Sequence, residues 1–214
     1  MLRSFSPLRA LLPAEVAVVE AEDTGDDDLF PEEAAFVARA VEKRRREFAS
    51  GRWCARRALF ELGWREPVVL LPGSGREPCW PHGVVGSITH CEGYCAAAVA
   101  WRADIVSLGI DAERNRALPP DVEDLVCSVD ELRRLPKDQG THWSTLVFSA
   151  KEGVYKAWYP LTRQPLEFCD VDVILHPETS AFVARIAAGG PGLQFDGTFA
   201  ATDSHVFTAV CVRA

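Results

Sequence analysis

The chain has no apolar run approaching the ~20 residues that a membrane-spanning helix requires, so a helical membrane protein is excluded. Between Met1 and Leu12 the apolar residues are interrupted by Ser4, Ser6 and Pro7, and Pro13 follows, so no secretory leader is expected despite Arg3 and Arg9. Paired cysteines are missing too. There are seven, an odd number; Cys91 and Cys95 come closest, and no second cluster completes a zinc set. Reduced thiols and a cytoplasmic location are the expectation. There is no Gly-x-Ser-x-Gly, so Ser87 and His90 do not make a nucleophile elbow. An overall basic excess is absent: the net charge is −8, which argues against a nucleic-acid partner.

What is present is local. Seven of the 23 basic residues fall in residues 43–57 (Lys43, Arg44, Arg45, Arg46, Arg52, Arg56, Arg57), with Glu47 the one acid among them. A basic patch on an acidic chain suits one anionic ligand better than an extended polyanion. Arg45, Arg52 and Arg56 fall on one flank of a seam formed by Phe48, Ala55 and Leu59 at helical spacing. They read either as a solvated helix face or as a phosphate clamp beside the core.

Periodicity gives an α+β pattern with antiparallel sheets and no βαβ alternation or repeat. A short strand is expected at 15–20 and an acidic loop at 23–28. Helix is expected from Pro31 to Leu62, broken near Ala49-Ser50-Gly51 and closed by Gly63. A Pro/Gly loop spans 71–81, and strands follow at 84–90, 95–101 and 105–111. Helices are expected at 121–135 and 143–159, then strands at 171–175, 181–186, 194–200 and 206–212.

Two motifs carry chemistry. In Ser107-Leu108-Gly109-Ile110-Asp111-Ala112-Glu113, strand alternation turns Val106, Leu108 and Ile110 one way. Ser107, Gly109, Asp111 and Glu113 turn the other way, which brings both carboxylates within reach of one hard cation. Gly109 leaves room for a close neighbour on that face. In Phe148-Ser149-Ala150-Lys151-Glu152-Gly153-Val154-Tyr155-Lys156, Glu152 and Lys156 lie one helical turn apart. Ser149-x-x-Glu152 also fits a capping box, which would give Glu152 a purely structural role. Three carboxylates with lysines suggest a magnesium site that handles phosphate. A magnesium-dependent phosphoesterase and a non-catalytic nucleotide-binding module both fit these residues.

Gly86-Ser87-Ile88-Thr89-His90-Cys91, the Gly109–Glu113 motif and Phe148 to Trp158 occur in the order and at about the spacing of one known family. The chain resembles the surfactin-type 4′-phosphopantetheinyl transferases, and within them the actinobacterial branch similar to enterobactin synthetase component D. Lys43 to Phe48, Arg52 to Arg56 and Glu77-Pro78-Cys79-Trp80-Pro81 add to the likeness, which covers roughly residues 35–175. The resemblance implies two similar α+β halves, 1–104 and 105–214, related by pseudo-twofold symmetry, in a monomer with the active site in the cleft between them. It implies transfer of phosphopantetheine from coenzyme A to a serine of an acyl or peptidyl carrier protein. By the same match, Asp111, Glu113 and Glu152 would surround Mg²⁺, or Mn²⁺ in its place, with Asp111, Glu152 and Lys156 at the chemistry. Arg44 or Arg45, Arg52, Arg76, Thr89, His90, Lys151 and Lys156 would contact the coenzyme. Gly153 stands where the family usually has alanine, and the loop at 72–75 lacks the expected lysines, with Arg76 the nearest replacement charge.

Overall fold

The computed structural model describes residues 6–22, 29–137, 140–187 and 193–214; the acidic stretch 23–28 lies outside them. The elements run α1 (Pro7–Leu11), β1 (Ala17–Ala21), α2 (Pro31–Val37), α3 (Glu42–Leu62), β2 (Val84–Cys91), β3 (Tyr94–Trp101) and β4 (Ile105–Arg114). Then come α4 (Pro120–Val126), α5 (Val129–Arg134), α6 (Trp143–Thr162), β5 (Val171–His176), β6 (Ala181–Ile186), β7 (Gln194–Ala201) and β8 (His205–Arg213). The class is α+β. One antiparallel sheet has the order β1-β3-β2 and the other β4-β8-β7-β6-β5.

Each sheet carries one long helix. Cys54, Ala58 and Leu59 of α3 pack on Cys95, Ala97 and Val99 of β3. The alternate residues of β3, Ala96, Ala98 and Ala100, face Leu108, Ile110 and Ala112 of β4 and Phe207 of β8. The run of small residues in β3 is therefore buried on both faces, which lets the two sheets stack closely. Beyond β4, Ala150, Val154 and Trp158 of α6 complete the core with Phe182, Val206 and Val210.

The sheets meet at their edges as well. β2 and β4 are edge strands, and side-chain hydroxyls join them. Ile110 N–H donates to Ser87 Oγ at 3.1 Å, and Ala112 N–H donates to Thr89 Oγ1 at 3.1 Å. These bonds satisfy backbone donors that an edge would otherwise leave open. They also fix the carboxylate strand against the Ser-x-Thr-His strand.

Several details depart from the sequence expectations. Helix α3 runs unbroken through Ala49-Ser50-Gly51; the break falls at 38–41, where Val41 is an exposed, extended N-cap and not part of the seam. Gly51 serves close packing, since a β-carbon there would stand 3.1 Å from Ile88 Cγ2 of β2. Gly63 ends α3 as expected, with φ 105° and its N–H on the Leu59 and Phe60 carbonyls. Residues 121–135 form two helices because Ser128 starts a new capping box with Glu131. An irregularity between Ile105 and Ser107 in the β4–β8 pairing puts Ile105, not Val106, in the core with Leu108 and Ile110. α6 begins at Trp143, so Ser149 is interior and caps nothing. Its hydroxyl lies 2.9 Å from Thr208 Oγ1. The short α1 has too few residues to leave a periodic signal.

Candidate active site

The close fit of α6 on β4 builds the centre of the site. A β-carbon on Gly109 would stand 1.9 Å from the Gly153 carbonyl oxygen, so the neighbour that Gly109 admits is the α6 backbone. One on Gly153 would meet Thr208 Oγ1 at 3.3 Å. Two facing glycines bring the helix near enough for Glu152 and Lys156 to flank the β4 carboxylates.

Asp111 is 4% exposed. Its Oδ1 accepts from Lys156 Nζ at 2.6 Å and from Thr89 Oγ1 at 3.1 Å. Lys156 Nζ also donates to the Ile110 carbonyl at 3.1 Å. Asp111 Oδ2 is buried and has no hydrogen-bond partner among the described residues. A buried, unpartnered carboxylate oxygen is costly and marks a place for a cation. Burial, and then Asp111, push Glu113 up to about 7, with Lys156 pulling the other way. Glu152 is also raised, first by burial, with Lys156 opposing and Asp111 adding to the shift. Burial is the main cause of both shifts, and the acidic neighbours add negative charge that Lys156 offsets in part. Among the described residues, no three His, Cys, Asp or Glu side chains are already drawn together as a metal cage. In kind, though, the orphaned Asp111 oxygen and the two neighbouring acids fit a hard divalent cation.

These residues open into a cleft of about 1030 Å³ lined by both sheets' elements. On its far side stands α3. Arg44 Nη1 lies 3.0 Å from His90 Nε2. A guanidinium only donates, so Nε2 accepts and His90 carries its proton on Nδ1. Burial, Arg44 and Lys156 lower the His90 pKa against the pull of Glu47, in keeping with a neutral ring. Glu47 Oε2 is 3.9 Å from Nδ1, beyond a hydrogen bond. Arg52 is 6% exposed, with Nε on the Leu70 carbonyl at 2.6 Å and its guanidinium 4.0 Å from the Phe48 ring centre. Burial lowers its pKa to about 10, so it stays cationic at neutral pH. Leu70 is held in turn by its N–H on buried Glu33 at 2.8 Å. Arg76 lines the cleft from the 72–78 loop, with φ 67°.

Of the residues singled out in the sequence, Asp111, Glu113, Glu152, Lys156, Thr89, His90, Arg44, Arg52 and Arg76 all line this cleft. Arg45 and Lys151 do not. Arg45 pairs with Glu42 on the exposed side of α3. Lys151 is buried, and its ammonium donates to the Val126 carbonyl at 2.8 Å, Glu131 Oε2 at 2.9 Å and the Phe168 carbonyl at 3.0 Å. It pins α4, α5 and the 168–170 turn to α6.

Sequence reasoning missed the clasp over the cleft. Ser74 Oγ lies 3.3 Å from Tyr159 Oη, and Glu77 pairs with Arg163, so the 72–78 loop rests on the end of α6. The partners are about 86 residues apart, and no local pattern links them. Glu47 was visible as the single acid in the basic run, but its place beside His90 was not.

With this geometry in hand, comparison with known proteins is direct. Residues 32–100 match the model of the 4′-phosphopantetheinyl transferase N-terminal domain, and residues 107–209 match the 4′-phosphopantetheinyl transferase superfamily. The 4′-phosphopantetheinyl transferase Svp of Streptomyces mobaraensis is 47% identical over 97% of this chain and 89% of its own. PptT of Mycobacterium tuberculosis is 44% identical over 77% of this chain and 74% of its own. Npt of Nocardia iowensis is 39% identical over 95% and 98%. The chain belongs to the 4′-phosphopantetheinyl transferase superfamily. It is an enzyme of that class.

Proposed function

We propose that this enzyme moves 4′-phosphopantetheine from coenzyme A to a serine hydroxyl of an apo acyl or peptidyl carrier protein, releasing 3′,5′-ADP. The observation that supports this most is the make-up of one cleft: Asp111, Glu113, Glu152 and Lys156 from β4 and α6 share it with Arg44 and Arg52 of α3 and Arg76 of the 72–78 loop. A pyrophosphate joined to a 3′-phosphoadenosine would use both, the acids through a divalent cation and the arginines directly. The halves 1–104 and 105–214 each contribute one wall, as the pseudo-twofold plan of the family implies, and a single chain suffices for the site.

Asp111, Glu113 and Glu152 would hold Mg²⁺, or Mn²⁺ in its place. Bound there, the ion would offset negative charge on the pyrophosphate. Arg44 and Arg52 would bind the 3′-phosphoadenosine end, with Arg76 closing over it. His90, neutral with its proton on Nδ1, would donate to a phosphate oxygen. Glu152, made more basic by its buried site, would take the serine proton directly or through a water. The serine oxygen bonds to the phosphorus that bears pantetheine, and the bond to the 3′,5′-ADP oxygen breaks. Lys156 would stabilise the charge that develops on that leaving oxygen.

The acidic net charge supports a protein acceptor over nucleic acid. No described helix is long and apolar enough to cross a membrane. None of the seven cysteines is joined in a disulfide, which favours the cytoplasm. The test is chromatographic detection of 3′,5′-ADP from coenzyme A. Release that needs both carrier and divalent metal supports the transfer. Phosphate release without a carrier favours a phosphoesterase instead.

A further inference from the structure

Thr89 is among the residues that the family resemblance places on the coenzyme, yet its hydroxyl is committed elsewhere. A threonine hydroxyl has one proton and two lone pairs. The proton goes to Asp111 Oδ1 at 3.1 Å, and a lone pair takes the Ala112 N–H at 3.1 Å. The side chain is 2% exposed, so no second arrangement is reached by a simple turn to solvent. Ionised phosphate oxygens offer acceptors, and this hydroxyl has no proton left to give them.

We infer that Thr89 is a positioning residue for Asp111. Its hydroxyl and Lys156 Nζ together occupy Oδ1, which leaves Oδ2 as the one oxygen available to a cation. The same hydroxyl ties that carboxylate to the backbone of β4, so the orientation of Asp111 is set by the seam between the two sheets. Ser87, two residues earlier, accepts the Ile110 N–H in the same way but touches no acid. It separates the seam from the positioning. The inference rests on the reading of Asp111 as a divalent-cation ligand.

The experiment measures Mn²⁺ binding to the full chain by electron paramagnetic resonance, with coenzyme A present and no carrier. Thr89→Val keeps the shape and removes the hydroxyl; Thr89→Ser restores it; Ser87→Ala removes a seam hydroxyl only. Thr89→Val should weaken Mn²⁺ about tenfold, the loss expected for one hydrogen bond to a charged group. Thr89→Ser should stay within about twofold of the parent, and Ser87→Ala should bind Mn²⁺ normally. At saturating metal the coenzyme KM of Thr89→Val should move little. A raised KM with unchanged Mn²⁺ affinity would put Thr89 on the coenzyme and overturn the inference. An equal Mn²⁺ loss in Ser87→Ala would overturn it too, by making the seam the cause. If Thr89→Val does not fold, Thr89→Ala against Thr89→Ser makes the same comparison. A parent that binds no Mn²⁺ while still binding coenzyme would overturn the metal reading itself.

Discussion

Gly109 of β4 and Gly153 of α6 face each other so closely that a β-carbon on the first would stand 1.9 Å from the carbonyl oxygen of the second. Backbone on backbone leaves nothing flexible to move aside. Gly109→Ala should therefore destabilise the protein by about 3 kcal/mol, the upper part of the usual range for overpacking. Gly153→Ala meets Thr208 Oγ1 at 3.3 Å and otherwise makes ordinary contacts at 3.9 Å or more, and it gains about 1 kcal/mol of helix propensity, so the two effects nearly cancel. Urea unfolding of both variants checks this. A Gly109→Ala variant as stable as the parent would contradict the close fit that sets the active site.

The arginines separate by position. Arg44 reaches His90 in the cleft, whereas Arg45 turns to Glu42 outside it. Arg44→Ala and Arg52→Ala should each raise the coenzyme KM about tenfold or more and lower kcat less, the loss of one charge-assisted contact. Arg45→Ala should leave both within about twofold. Arg52→Ala should also lower Tm, because Arg52 is buried and holds the Leu70 carbonyl. Steady-state kinetics with coenzyme A as the varied substrate decides it. The reverse order of Arg44 and Arg45 would refute the placement.

Lys151 makes a prediction of the opposite kind. Its ammonium is buried with Glu131, whose other oxygen accepts the Val173 N–H at 2.8 Å. Lys151→Met strands that carboxylate and should cost about 3–5 kcal/mol. The folded fraction should bind coenzyme A normally. Thermal melts and calorimetric titration test the pair of outcomes. Lost coenzyme affinity with full stability would return Lys151 to the ligand.

Much of the fold was legible because its signals are local. Apolar stretches bounded by turn residues marked β2, β3 and β5 to β8, Gly63 marked the end of α3, and the motifs marked the carboxylates of β4 and α6. What was illegible depends on packing between distant segments. Gly51 looks like a helix breaker until β2 is seen against it. Lys151 sits beside Glu152 in the motif, but a step of about 100° along the helix turns it to a different face, towards Glu131. Likewise, the choice between Arg44 and Arg45 turns on His90, 46 residues away from Arg44.

Glu113 gives the site a pH signature. Its carboxyl titrates at about 7 in the folded chain against an ordinary 4.5, chiefly through burial. A folded pKa above the unfolded one means that the native state holds the extra proton between those values. Stability from this group is therefore present at low pH and is lost as pH rises through 7. In metal-free buffer, Tm should fall between pH 5.5 and 7.5, and Glu113→Gln should reduce that fall by about 3 °C. Thermal melts of the two proteins at both pH values measure the difference. An identical pH dependence in the variant would contradict the raised pKa.

The most direct test of the whole account is the intact mass of an apo carrier protein after incubation with this enzyme, coenzyme A and Mg²⁺. The account predicts a gain of one phosphopantetheine on the carrier serine, abolished by EDTA and by Asp111→Ala. An unmodified mass across fatty-acid, polyketide and peptide carriers, with coenzyme A bound, would contradict it.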